Sequence, residues 1–226
     1  MDVTQNRDLR STGCKHACGA GPDCPIRAGN RGLSGLHKAA QTGDVAEIRR
    51  LAAVGVDADQ RDPGGRTAIH IAAFASQDEA LKALAEAGAD MNALDARRYD
   101  VVTIAAVAND PELMSLAIAL GNDAVLTTSP YDGTALIAAA DLGHGEIVRR
   151  LIAAGAPLDH VNTLGWTALM EAVVLGDGGR DFQEVVKLLV DAGADKAIGD
   201  RDGVTPLEHA RARGYAEIVS LLEPAS

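Results

Sequence analysis

The stretch TALIAAADLGHGEIVRRLIAAGAPLD, from Thr134 to Asp159, decides how the rest of the chain is read. It opens with a short apolar segment that ends at Gly143, continues as an amphipathic run from Glu146 to Ala154, and stops at Gly155. Apolar residues three and four apart, closed by a residue free to take positive φ, predict two short helices back to back.

The same unit recurs outward in both directions. Aligning GLHKAA (35–40), AIHIAA (68–73), VVTIAA (101–106), ALIAAA (135–140), ALMEAV (168–173) and PLEHAR (206–211) gives starts separated by 33, 33, 34, 33 and 38 residues. In that register Gly55, Gly88, Gly121, Gly155 and Gly193 each follow a second helix, where a left-handed residue ends it. One helix pair of this size cannot bury its apolar face alone, so the units are expected to stack into a continuous core. The 3% aromatic content means that the core must be built from Ala, Leu, Ile and Val.

Local chemistry agrees with this register. Thr67, Thr134, Thr167 and Thr205 stand just before the first helices, where a hydroxyl accepts from an orphan backbone N–H. In TPLE, Pro206 falls at the first helical position and Glu208 three residues after the cap, completing a capping box. Paired alanines, such as those at Ala72 and Ala139, leave room for the neighbouring helices. Two units depart from the pattern. In the third, Arg98 replaces the turn glycine and Asp100 the threonine, which predicts a distorted hairpin, although Asn109, Asp110 and Pro111 still start its second helix. In the fifth, GDGGRD from Gly176 to Asp181 predicts a tolerated surface insertion.

Residues TAIHIAA from Thr67, AGADMNALD from Ala87, GHGEIV from Gly143, AGAPLD from Ala154, DAGAD from Asp191 and DGVTPLEHA from Asp202 resemble the ankyrin repeat. The resemblance implies an all-α solenoid of stacked helix-turn-helix units joined by short β-hairpin-like loops. Its six repeats fall at about 32–61, 62–94, 95–128, 129–161, 162–199 and 200–223. It further implies a non-enzymatic scaffold that binds a protein partner through a concave groove and the hairpin tips. His37 and His70 fall on the family's TPLH position and His144 on its GH position, where the imidazole is structural.

The net charge of −11 and pI near 4.9 oppose binding to a phosphate backbone, which requires Lys and Arg to release counterions. A basic or neutral protein partner is expected instead. No apolar run reaches the ~18 residues that would mark a membrane span. The opening MDVTQNRDLRSTGC lacks the apolar core of a secretory leader, so a cytoplasmic monomer is expected.

Residues 1–31 lack any period and read as a flexible tail. They hold all three cysteines, Cys14, Cys18 and Cys24, with His16 among them. Those groups have the chemistry of a tetrahedral zinc site, but the spacing lacks the usual C-x2-C pairs. Free thiols are the plainer reading, and a redox- or metal-responsive regulator is the alternative. No nucleophile elbow, metal-binding His-Glu motif or dinucleotide fingerprint appears in the repeats, so neither a catalytic residue nor a cofactor is expected.

Four of the six aromatic residues fall on the surface that the family uses for recognition. Tyr99, Tyr131 and Trp166 lie at or near hairpin tips, and Phe74 ends a first helix. With Arg66, Arg97 and Arg98 beside them, these seven residues are the candidate protein-binding set, since Trp, Tyr and Arg most often anchor interfaces.

Overall fold

The computed structural model describes residues 34–223. The cysteine-containing segment, with Cys14, His16, Cys18 and Cys24, and the flexible-tail reading of residues 1–31 lie outside the described residues. The described residues form two compact units, 34–96 and 97–223.

The first unit contains α1 (Gly35–Thr42), α2 (Val45–Ala53), α3 (Ala68–Phe74) and α4 (Asp78–Glu86). Its first helices, α1 and α3, lie side by side, and so do its second helices, α2 and α4. Each pair is also packed internally, which gives two layers. Between the layers Ile48, Ile69, Leu81 and Leu84 are fully buried. Each such side chain contributes roughly 1.5–3 kcal/mol of burial free energy.

The second unit contains α5 (Val101–Ala108), α6 (Pro111–Ala119), α7 (Ala135–Asp141), α8 (Gly145–Ala153), α9 (Ala168–Val174), α10 (Arg180–Asp191), α11 (Pro206–Arg213) and α12 (Ala216–Leu222). The row α5, α7, α9, α11 forms one layer and α6, α8, α10, α12 the other, each helix against the next in sequence order. Two short strands, β1 (Thr127–Thr128) and β2 (Gly133–Thr134), pair antiparallel with Thr127 opposite Thr134. The core is made of Met114, Leu136, Ile147, Leu151, Leu169, Met170, Leu189 and Ile218. Ala105, Ala139, Ala172 and Ala210 are wholly buried, so the first helices approach across methyl groups.

The helix starts are made by the expected residues. Thr134, Thr167 and Thr205 accept from the backbone N–H three residues on, and Glu208 closes its capping box by accepting from Thr205 N at 2.8 Å. At Thr67 the capping box is closed by His70, whose Nδ1 accepts from Thr67 N at 3.1 Å. His144 Nδ1 donates to the Ala106 carbonyl at 2.9 Å and His37 Nε2 to the Arg66 carbonyl at 3.1 Å, so both rings join successive repeats.

One local expectation is corrected. At the third repeat Arg98 adopts φ 63°, the same left-handed region taken by Gly65 and Gly165, so the turn is kept at that residue. Asp100 replaces the threonine as cap, accepting from Thr103 N at 2.7 Å and, through its other oxygen, from Asn122 Nδ2 at 2.8 Å. The fifth-repeat insertion lies at the surface, as expected, with Asp177, Arg180 and Asp181 exposed. Part of it extends α10 to 12 residues, against nine in α8. The rest is held by Tyr215, whose hydroxyl donates to the Gly176 carbonyl at 3.1 Å and whose ring leaves no room for a Cβ at Gly178.

Candidate functional site

Four hairpins begin with a side-chain oxygen that fixes the turn. Asp62 Oδ1 accepts from Gly64 N and Arg66 N at 2.8 and 2.9 Å. Asn162 Oδ1 accepts from Leu164 N and Trp166 N at 2.9 and 3.1 Å, and Asp200 Oδ1 from Asp202 N and Val204 N, both at 3.0 Å. In the fourth repeat Ser129 Oγ serves the same purpose for Tyr131 N and Gly133 N. A short side chain that copies a backbone turn is why Asp, Asn and Ser occupy this position.

Successive tips are tied to one another within each unit. In the first, Ala96 N donates to the Gly64 carbonyl at 3.3 Å, and Arg61 donates to the Leu94 carbonyl at 2.5 Å. In the second, Ser129 N donates to the Arg98 carbonyl, Thr163 N and Oγ1 to the Tyr131 carbonyl, and Arg201 to the Thr163 carbonyl. His160 Nε2 donates to the Asp132 carbonyl at 2.6 Å. These bonds hold the loops in a fixed arrangement.

The candidate binding residues divide between the units. In the first, Arg66 is half-buried and its guanidinium donates to Asp62 Oδ2 at 2.8 and 2.6 Å, so its charge is committed within its own hairpin. Burial opposes ionisation of Asp62, but the Arg66 side chain and the two backbone N–H groups hold its carboxyl below the usual range. Phe74 is half-buried at the end of α3. In the second, Tyr131 is 51% exposed, Tyr99 and Trp166 are half-buried, and Arg97 and Arg98 are exposed. Arg98 reaches Asp132 at 3.3 Å. The structure therefore brings Arg98 to the Tyr131 hairpin and binds the Tyr131 loop to the Trp166 loop.

One polar group escaped the sequence reading. Glu171, in α9, is 5% exposed, and its Oε1 accepts from Asn162 Nδ2 at 2.8 Å. Burial, reinforced by the charge of Asp141, pushes its carboxyl up to about 8, although the Asn162 bond works in the other direction. Asp141, the last residue of α7, is itself 4% exposed. The available signal was positional: Glu171 interrupts an apolar helix at the register position where the second, third and fourth repeats place Ile71, Ile104 and Ala138, and the first places Lys38. In the sixth repeat that position is His209, whose Nε2 donates to Asp200 Oδ2 at 2.8 Å.

Among the described residues no group of three or more His, Cys, Asp or Glu side chains is placed to hold a metal ion. Nor is any helix among them long and apolar enough to cross a membrane.

Comparison with known proteins places this geometry. The family profile described as ankyrin repeats in three copies matches residues 5–95 and 102–200. The ankyrin repeat protein YahD of Escherichia coli (strain K12) is 38% identical over 185 residues, covering 81% of this chain and 92% of that protein. Among solved structures, an ankyrin repeat domain (ABAYE2397) from Acinetobacter baumannii AYE aligns with a TM-score of 0.77 and 44% identity, over 83% of this chain and 95% of its own. The ankyrin repeat protein EF0377 aligns with a TM-score of 0.76 and 32% identity, over 83% and 96%. On the match of profile, sequence and stacked helix pairs, the chain belongs to the ankyrin-repeat family.

Proposed function

We propose that this chain is a non-enzymatic scaffold that binds a protein partner through its hairpin tips and the first-helix layer. Ankyrin repeats generally mediate protein–protein interaction, and the finer reading rests on one observation: Tyr131 holds a half-exposed ring on a loop whose backbone is fixed by Thr163. A large ring on a preordered loop loses little conformational freedom on binding, which is the property of an interface anchor. Trp166 stands on the loop tied to it, with Tyr99, Arg97 and Arg98 contributing from the preceding hairpin. Arg66 and Phe74 form a separate candidate patch on the first unit.

The net charge of −11 favours a basic or neutral partner and disfavours nucleic acid. The scaffold acts as a monomer in the cytoplasm, without a cofactor. The test is capture of partner from a lysate of the native host by wild type, Tyr131→Ala and Trp166→Ala. A control pair, Arg149→Ala and Glu184→Ala, lies on the exposed face of the second-helix layer, where the two side chains meet at 2.8 Å. Loss of capture in the aromatic variants alone supports the reading. Unchanged capture there, with loss in the control pair, moves the interface to the other face.

A further inference from the structure

We infer that Asp177, in the fifth-repeat insertion, is a site of covalent main-chain modification, where the Asp177–Gly178 linkage passes through a succinimide to an isoaspartyl linkage. The chain contains three Asp-Gly pairs, Asp132–Gly133, Asp177–Gly178 and Asp202–Gly203. Glycine in the second place opens the reaction at each, because no Cβ shields the amide nitrogen that must attack the aspartyl carboxyl group. The structure then separates them. Gly133 N donates to Ser129 Oγ at 3.1 Å and lies in β2, paired with Thr128, while Asp132 Oδ1 is drawn to Arg98 at 3.3 Å. Gly203 N donates to the Asp200 carbonyl at 2.9 Å. Attack at either pair requires a turn bond to break first.

Gly178 N, by contrast, donates to no group among the described residues. Asp177 is exposed, and its Oδ1 accepts from Gly179 N at 2.8 Å. That bond folds the carboxyl group back over the Asp177–Gly178 peptide, so Cγ is held beside the nitrogen that must reach it. The same N–H lies on the oxygen where negative charge develops as the nitrogen adds. Oδ2, without a partner among the described residues, is the group that leaves.

The step balances within the chain and water. Gly178 N bonds to Asp177 Cγ, and its amide proton leaves with the hydroxyl of the protonated carboxyl group as water. Water then opens the imide ring at either carbonyl. Opening at Cγ restores Asp177. Opening at the Asp177 main-chain carbonyl breaks its bond to Gly178 N, leaves the main chain running through Cβ and Cγ, and frees an α-carboxylate. No oxidant, reductant or co-substrate is needed. The added methylene lengthens the backbone where the insertion meets the sixth repeat. Gly178 lies under the Tyr215 ring with no room for a Cβ, and the Tyr215 hydroxyl donates to the Gly176 carbonyl at 3.1 Å. Isoaspartate at 177 therefore displaces Gly178 against that ring and loosens the contact between the insertion and the start of α12.

The experiment ages the full-length protein for several weeks in mildly acidic buffer at physiological temperature, with a parallel sample in urea. Isoaspartate at the Asp-Gly pairs is then mapped by electron-transfer fragmentation of proteolytic peptides. In the folded protein isoaspartate should accumulate at Asp177 roughly tenfold faster than at Asp132 or Asp202, the factor set by the hydrogen bond that each of those glycine nitrogens must first break. In urea that lead should collapse. Gly179→Pro removes the N–H on Oδ1 at a φ of −71°, which proline accepts, and should slow the reaction at Asp177 severalfold. Equal rates at the three pairs in the folded protein, a faster rate at Asp132 or Asp202, no isoaspartate at Asp177, or a lead that persists undiminished in urea overturns the inference. An unchanged rate in a folded Gly179→Pro overturns the role given to the Gly179 N–H, and unshifted Tyr215 ring resonances in the isoaspartyl fraction overturn the effect on the sixth repeat.

Discussion

The hairpins that begin at Asp62 and Asn162 share one backbone frame and opposite electrostatics. Both start residues accept from the N–H groups two and four positions on. At Asp62 the remaining oxygen meets the Arg66 guanidinium, which keeps the carboxyl ionised. At Asn162 the remaining atom is a donor, and it meets a carboxyl group that burial keeps protonated. The difference teaches that the repeat fixes the turn but leaves the second end of that side chain to local choice. One choice gives a hairpin tied by charge, the other a hairpin tied by a hydrogen bond to the buried Glu171.

The largest expected effect separates the two ties directly. Asp62→Ala removes the side-chain acceptor of two backbone N–H groups and leaves Arg66 without its counter-charge, and should cost about 3–4 kcal/mol. Asn162→Ala removes neutral hydrogen bonds only and should cost about 1–3 kcal/mol. Urea midpoints of the two variants at pH 7 decide this; equal losses would mean that the ion pair adds nothing to the Asp62 hairpin.

Opposite pH dependence is the next consequence. The folded value of Asp62 lies below its unfolded one, so its contribution is present above the unfolded value, 3.8, and is lost as pH falls through the folded value. For Glu171 the folded value lies above the unfolded one. The folded state retains a proton that the unfolded state has released between 4.5 and about 8, so stability falls as pH rises through that window and is level beyond it. Glu171→Gln should match wild type near pH 4.5 and exceed it by about 4 kcal/mol at pH 8.5. A constant offset between the two unfolding curves would remove Glu171 from the account.

Packing should not distinguish the two regions. Ala72 and Ala172 occupy the same register position behind the two hairpins, and both are wholly buried. Leucine at either site should overpack the helix layer and lower stability by about 1–3 kcal/mol, with similar shifts in urea midpoint. A large difference between them would show that the repeats are not equivalent in packing, and would weaken the assignment of their contrast to polar groups alone.

How much of this was legible follows from the kind of residue involved. The helix pairs were readable because capping threonines, paired alanines and closing glycines act over three or four residues, and the 33-residue period repeats them. The hairpin aromatics could be placed for the same reason. Glu171 was not legible as special, because its protonation depends on Asp141, thirty residues earlier, and on Asn162, both brought to it by stacking. Arg66 read as a free contact residue, since a sequence shows the charge but not the Asp62 carboxylate that engages it. The insertion at Gly176–Asp181 read as a surface feature, which it is, but its contact with Tyr215 was not legible because that residue belongs to the following repeat.

The smallest effect concerns the turn itself, and it tests whether the frame shared by these hairpins carries strain when glycine is absent. Gly65 and Gly165 take φ of 71° and 87° at no steric cost, whereas Arg98 takes 63° with a Cβ. A residue with a Cβ in that region costs roughly 1–2 kcal/mol, while glycine loses ~0.5–1 kcal/mol of additional chain entropy on folding. The Arg98–Asp132 contact is half-exposed at both ends and offsets little. Arg98→Ala keeps the strain and loses the contact; Arg98→Gly loses both. Arg98→Gly should therefore be more stable than Arg98→Ala by about 0.5–1 kcal/mol, measured as the difference in urea midpoint. The opposite substitution, Gly165→Ala, introduces that strain and sets a Cβ 2.7 Å from Arg201 Cγ, so it should be destabilising. If Arg98→Gly and Arg98→Ala prove equally stable, the left-handed turn at Arg98 is not strained, and the third hairpin is held by contacts strong enough to make the residue type immaterial.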